Sequence, residues 1–310
     1  MRKDLKGLVI FFSLIFLFPL LVRNPYYIGV LVFWGIYSII TLGLTILMGY
    51  AGQISLGQAG FFAVGAYTSG ILTTRFGLPP WLGILAGLGL SLLLSLFLAL
   101  PSLKLKGHYL AMATLGFGEI VHVVLNAWVG VTGGPSGFGE IPALSFLGWK
   151  LDSEIRFFYF TWGWVFLFFL FSLSLLKSPY GRALRSLHAE ERIPLSLGVN
   201  VYFYKVFAFL WAAFYASFAG SLYAHFMTFL SPSSFTLILS ILLVLMIVVG
   251  GLGNLWGALL GAGILTFLPE ILRTFEDFEM LIYGIFLILI MIFLPRGLVS
   301  LRRGKVATGD

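Results

Sequence analysis

Two groups of side chains in this sequence could do chemistry, and both sit in apolar surroundings. Gln53, Ser55 and Gln58 interrupt the small, apolar stretch GYAGQISLGQAGFFAVGAYTSG at 49–70. Glu119 and His122, with Asn126, stand at i, i+3 and i+7 in GHYLAMATLGFGEIVHVVLN at 107–126. That spacing puts the three on one helical face, which His108, Met112 and Leu115 extend. Amides and hydroxyls carry no net charge, so they can meet a polar solute in a low dielectric without the cost of a buried ion. The first group admits two compatible readings: tight packing of small residues, or a broken helix beside a path for a solute. Glu119 with His122 admits three: a structural hydrogen bond to a neighbouring helix, the lining of a polar path, or a short proton relay.

The composition says what kind of elements must hold these groups. The 310 residues are 60% hydrophobic and 10% charged, with a mean hydropathy of +1.03. A soluble domain carries about a quarter charged residues. Apolar runs recur near 8–22, 27–48, 57–74, 81–101, 109–128, 157–176, 205–227, 236–250, 255–271 and 280–295. The sequence therefore predicts an all-α, polytopic transmembrane helical bundle of about ten spans, since one span needs about 20 mostly apolar residues. It forms a single domain over 1–310. The runs lack the alternation of a membrane β-barrel. The first follows the basic start MRKDLK with no small-residue cleavage site after it, and reads as a span rather than a signal peptide.

Charge sets the orientation. With the N-terminus in the cytoplasm and the spans alternating, Arg2, Lys3, Lys6, Lys104, Lys106, the basic residues of 177–205, Arg296, Arg302, Arg303 and Lys305 all fall inside. The other side receives Arg23, Arg75, Lys150, Arg156 and Arg273 together with seven acids: Glu140, Asp152, Glu154, Glu270, Glu276, Asp277 and Glu279. This bias predicts both termini in the cytoplasm. The net charge of +7 is then topological. No nucleic-acid partner is called for, because the aromatic residues lie within the spans. The layout leaves an outer loop at 129–156 and a polar inner loop at 177–205.

The chain has no cysteine, so thiolate chemistry is excluded. There is no GxxxxGK[ST] phosphate loop, no metal-ligand cluster and no Ser-His-acid arrangement in a supporting context. Neither an enzyme nor a bound cofactor or metal is expected. His225, near an outer span end, reads as packing or a hydrogen bond.

Glycine marks the places where the backbone must bend or approach. Gly49, Gly52 and Gly57 lead into the third span, where Ala59, Ala63 and Ala66 share a face and Gly60 adds to the hinge and packing glycines. Gly250, Gly251 and Gly253, in VVGGLGNLWGALLGAG at 248–263, mark a turn between two spans, as a cytoplasmic loop or a re-entrant hairpin. In the inner loop, Tyr180 to Arg192 is rich in helix formers, and Pro194 biases Ile193 away from the helix. A short surface helix there suits a docking element, or a helix resting on anionic lipid.

Several segments occur in order along nearly the whole chain: LTILMGYAGQISLGQAGFFAVGAYTSGIL (44–72), GHYLAMATLGFGEI (107–120), TGGPSG (132–137), SPYGRALRSLHAEERIPLSLGVN (178–200), YKVFAFLWAAFYASFAGSLYA (204–224), SPSSF (231–235), VVGGLGNLWGALLGA (248–262) and LPRGL (294–298). Together they resemble the permease subunits of branched-chain amino acid ABC importers, closest to the subfamily with the GYAGQ-S-G-A block. The resemblance implies a multi-pass subunit in the cytoplasmic (inner) membrane of a prokaryote. Its implied partners are a second homologous permease subunit, two cytoplasmic ABC ATPase subunits and an extracytoplasmic solute-binding protein. The inner loop then matches the ATPase-docking segment, with Gly181, Arg182 and Arg185, Glu190 or Glu191 at the acidic position, and Gly198 as the matching glycine. Ile193 and Pro194 depart from a small Ala-Ala pair usual in the family. Gln53, Ser55, Gln58, Glu119 and His122 become candidates for the substrate pathway. Importers of urea and short amides share this permease family. A proton-coupled transporter built on Glu119 and His122, or a channel, stands as an alternative class.

Overall fold

The structure is a computed structural model and describes residues 2–21, 24–102, 107–146, 149–189, 198–272 and a few positions between 284 and 298. The helices are α1 (Arg2–Leu21), α2 (Pro25–Leu44), α3 (Gln58–Arg75), α4 (Pro80–Ser102), α5 (His108–Ala127), the single turn α6 (Val129–Thr132), α7 (Glu154–Lys177), α8 (Pro179–Ala189), α9 (Val201–Met227), α10 (Leu237–Gly250) and α11 (Leu255–Leu272). A π-helical turn, Thr45–Tyr50, continues α2. The extended backbone is confined to β1 (Ser145–Phe146) and β2 (Trp149–Lys150), paired antiparallel, and one isolated bridge between Phe138 and Leu230, all among the described residues. Every apolar run up to residue 271 coincides with a helix; the run expected at 280–295 lies largely outside the described residues.

Among the described residues, six helices are long and apolar enough to cross a membrane: α2 with its π turn, α4, α5, α7, α9 and α11. The helix α10 has 14 residues and is shorter than that. The 18 residues of α3 include three glycines, one glutamine, one serine, three threonines and Arg75, which lower its hydropathy. Local chemistry sets the ends. Asn24 caps α2 by accepting from the Tyr26 amide at 3.0 Å, with Pro25 as the first helical residue. Asn200 accepts from the Phe203 amide at 3.1 Å at the start of α9. Asn254 accepts from the amides of Trp256 at 2.9 Å and Gly257 at 3.4 Å to open α11.

Helices in lipid gain nothing from hydrophobic contact with each other and associate through close packing and hydrogen bonds. The middle of the bundle follows that rule. A Cβ on Gly65 of α3 would overlap the Ser217 carbonyl of α9, and one on Gly220 would overlap the Phe62 carbonyl. The Ser221 hydroxyl donates to the Gly65 carbonyl at 3.1 Å. On the other side of the core, the indole of Trp34 donates to the Leu259 carbonyl at 2.8 Å and that of Trp162 to Leu31 at 3.1 Å. These two rings meet edge to face at 4.8 Å between centroids, binding α2 to α7 and α11.

The 129–156 connection is tied down. Phe138 and Leu230 exchange backbone bonds at 3.0 and 2.9 Å, and the Trp81 indole donates to the Ser145 carbonyl at 2.6 Å. His225 bridges Ser69 at 2.8 Å and the Pro142 carbonyl at 2.7 Å, which is the hydrogen-bonding role its position suggested.

Candidate functional site

The backbone breaks between α2 and α3, at the first of the two polar groups. Through the π turn the Ala51 amide reaches the Ile46 carbonyl at 3.1 Å, and the Gln53 amide reaches Leu47 at 3.1 Å. Such wide turns inside α-helices are frequent at functional sites. Gly52 then takes φ +67°, a left-handed value that a Cβ disfavours. Residues 52–57 are irregular until Gln58 starts α3. Two bonds pin this segment to its neighbours: the Leu56 amide donates to the Thr114 hydroxyl of α5 at 3.0 Å, and the Ala59 amide to the Ser240 hydroxyl of α10 at 3.0 Å.

Within the break Gln53 is 3% exposed and Gln58 1%, and Ser55 is fully buried. The amide nitrogen and oxygen of both glutamines have no hydrogen-bond partner among the described residues. A buried polar atom left so costs about 1–3 kcal/mol. Four such atoms within six residues make a cluster that a polar solute or water can satisfy and apolar packing cannot.

The second group is only partly assembled. The Asn126 amide donates to the His122 carbonyl at 3.0 Å and lies 3.1 Å from His122 Nε2. Glu119 is exposed on the outer face of α5 and has no hydrogen bond or ion pair among the described residues. It borders a crevice, too narrow for water, that is shared with Leu56, Ala59, Thr236, Leu237 and Ser240. The two sequence-identified groups are therefore neighbours through 56–59, although Glu119 and His122 form no pair.

One feature escaped the sequence. A cavity of about 760 Å³ lies among α2, α9, α10 and α11, walled by Phe33, Tyr37, Tyr223, Phe226, Leu242 and Met246, with Tyr26, Glu154 and Glu270 also in its lining. The Tyr26 hydroxyl donates to Glu270. Behind it, Phe235 contacts Tyr223 at 5.7 Å and Phe62 at 5.3 Å, and Phe235 also lines the crevice at Glu119. An aromatic partition thus separates the cavity from the start of α3. Aromatic residues make up 17% of the chain, so no pattern singled these out.

The inner-loop residues take definite places where they are described. Leu184 and Leu187 anchor α8 in the bundle. Gly181 packs on the Leu176 backbone, and Arg182 is exposed. The Arg185 guanidinium donates to the Leu176 carbonyl and lies 5.7 Å from the centre of the Tyr50 ring. His188 Nδ1 is 2.9 Å from where a Cβ on Gly52 would stand. Gly198 has φ +74°, and Glu190 and Glu191 lie outside the described residues. The remaining glycines join two turns: a Cβ on Gly49 would overlap the Gly253 backbone, Gly250 abuts Gly257, and Gly251 abuts Gly297. Gly57 and Gly60 of the α3 start lie against Thr114, Phe117 and Gly118 of α5.

A bundle of long apolar helices with an internal break, buried amides in that break and a short amphipathic helix against it has the architecture of a membrane permease. The chain belongs to the family described as branched-chain amino acid transport system / permease component, which matches residues 26–294. It is 37% identical over 299 residues to the high-affinity branched-chain amino acid transport system permease protein LivM of Salmonella typhimurium, covering 87% of this chain and 69% of that one. It is 36% identical over 295 residues to LivM of Escherichia coli, with the same coverage. A probable branched-chain amino acid transport permease protein LivM of Methanocaldococcus jannaschii is 26% identical over 323 residues, covering 87% of this chain and 92% of that one. No solved structure matches.

Proposed function

We propose that this chain is a membrane-spanning permease subunit of an ATP-binding-cassette importer for branched-chain amino acids. In this reading it works in the cytoplasmic membrane of a prokaryote, in about ten spans with both termini in the cytoplasm. A second homologous permease, two ATPase subunits and an extracytoplasmic solute-binding protein complete the machine. Hydrolysis takes place on the partner chains.

The observation that carries this reading is the contact between α8 and the break. Arg185 and His188 touch Tyr50 and Gly52, and Gln53 follows directly in the chain. A push on α8 by an ATPase is thereby delivered to the segment that holds the unpaired glutamines. Gln53, Ser55 and Gln58 meet the polar end of the substrate as the cavity opens alternately to each side. The second permease packs on α5, the least covered of the six long helices, along Met112, Gly116, Glu119 and Val123. A carboxylate facing lipid is expensive, and a partner helix there covers Glu119.

The test is uptake of radiolabelled leucine into proteoliposomes holding this chain with its operon partners. We expect uptake to require ATP and the binding protein. Uptake by the chain alone, driven by a pH gradient and abolished by Glu119→Gln, would replace this reading with proton coupling. Flux with no energy source would make it a channel, and preferential uptake of urea would move the substrate to short amides.

A further inference from the structure

The cavity among α2, α9, α10 and α11 lies across the Phe235 partition from the glutamines of the break. Its lining changes along the helix axes. Tyr26 and Glu154 stand in the first turns of α2 and α7, and Met227 and Glu270 in the last turns of α9 and α11. Tyr37 lies about three turns beyond Tyr26 along α2, roughly 16 Å at the helical rise. Four rings of the lining gather around Phe33, which meets Tyr37, Tyr223 and Phe226 at 6.4, 6.1 and 5.5 Å between centroids.

The lining holds two carboxylates, Glu154 and Glu270, and no lysine, arginine or histidine among the described residues. The Tyr26 hydroxyl gives its proton to Glu270, and the Thr266 hydroxyl to the Ala262 carbonyl at 2.7 Å. Tyr223 is 8% exposed, and its hydroxyl makes no hydrogen bond among the described residues; nor does that of Tyr37. Phenol oxygens accept as well as donate. Ring faces are electron-rich and attract an ammonium, and cages of aromatic rings recognise organic cations for that reason. Two carboxylates with no cation beside them in the lining, unpaired phenols and an electron-rich cluster all select the same solute. An anion finds no side-chain N–H here, and a purely apolar solute leaves the phenols unpaired. We propose that the cavity binds an organic ammonium cation with an apolar body. The ammonium lies among Phe33, Tyr223 and Phe226 and donates to the Tyr223 hydroxyl oxygen, and its body rests on Leu242 and Met246. Glu154 and Glu270 supply the negative field that draws it in. At about 760 Å³ the cavity has room for a solute of drug size.

Occupancy of this cavity is read separately from uptake, so either reading can fail without the other. The absence of native cysteine permits a direct test. Met227→Cys places a thiol in the lining at a position 39% exposed, and Leu93→Cys places one on the outer face of α4, 64% exposed, as a control. The full chain with its partner subunits is held in phosphatidylglycerol nanodiscs, and maleimide labelling is timed with n-hexylammonium, n-hexanol or n-hexanoate. The three probes share a body and differ in charge. We expect hexylammonium to slow labelling at 227 about fivefold once it reaches about four times its Kd. Hexanol and hexanoate at the same concentration should have little effect, and labelling at 93 should not move. Tyr223→Phe, which keeps the ring, and the pair Glu154→Gln with Glu270→Gln should each weaken the protection several-fold. Equal slowing by all three probes would reduce the cavity to an apolar groove and overturn the proposal. So would equal slowing at 93, which marks partition into the bilayer, or no slowing at all. These comparisons use the parent cavity and do not depend on how its variants fold. Adding phosphatidylethanolamine to the discs separates two sources of the cation. Protection by that lipid with no added amine assigns the ammonium to a lipid headgroup, and protection by hexylammonium alone assigns it to a free amine.

Discussion

The helices α3 and α5 both carry polar side chains through apolar surroundings, yet the fold treats them in opposite ways. In α3 nearly every residue from Gln58 to Gly70 is buried, and its polar groups are uncharged. In α5 only Leu110, Ala111, Thr114 and Leu125 are buried, and its carboxylate faces outward. The small residues of α3 meet backbone: Gly65 lies on Ser217 and Gly60 on Gly118. Gly116 of α5 has nothing within 4 Å of where its Cβ would be. One helix is packed within the chain on nearly every side, and the other leaves most of its surface uncovered.

The comparison breaks most visibly at the glycines. Gly65→Leu drives a side chain into the α9 backbone; overpacking of this kind costs about 1–3 kcal/mol and occasionally more. We expect loss of folded protein, or a large fall in Tm followed by tryptophan fluorescence in detergent. Gly116→Leu should leave the Tm of the isolated chain unchanged and weaken its pairing with the second permease. Equal effects at the two positions would remove the distinction. Next in size is Gln58→Met. Exchanging an unpaired buried amide for an apolar side chain of similar length can be neutral or stabilising, so Tm should hold or rise. Leucine uptake should fall at least about tenfold, a loss of about 1.4 kcal/mol in transition-state terms. A drop in Tm would mean that Gln58 is a structural group whose partners form in the folded chain.

Much of this was legible in the sequence, for identifiable reasons. Long apolar runs give helices because backbone groups in lipid must be satisfied within the segment. Between the second and third apolar runs, where Gly49, Gly52 and Gly57 cluster, the chain is a π turn followed by irregular backbone. The shared face of Glu119, His122 and Asn126 followed from helical spacing, while the bond between His122 and Asn126 is a finding of the structure. The cavity at Tyr37 and Tyr223 was not legible, because its walls come from four helices far apart in the chain and use the commonest side-chain chemistry of the bundle. Nor was the meeting of Gly52 with His188. Hydropathy reports that a segment crosses, while which turn lies beside which depends on packing.

The smaller effects belong to α5. Glu119→Gln keeps the shape and removes the charge. The side chain is exposed in the isolated chain, where substitutions usually stay within about 0.5 kcal/mol, so Tm should not move. In the assembled importer, uptake should fall several-fold with its dependence on ATP unchanged. Asn126→Ala should do least. It removes the amide's two contacts to His122, each worth about 1 kcal/mol, from a helix that has few other contacts to lose. Leucine uptake should stay within about twofold of the parent, a difference of about 0.4 kcal/mol. Should Asn126→Ala instead depress uptake as deeply as Gln58→Met, the solute would be passing along the open face of α5, and the break before α3 would be only its support.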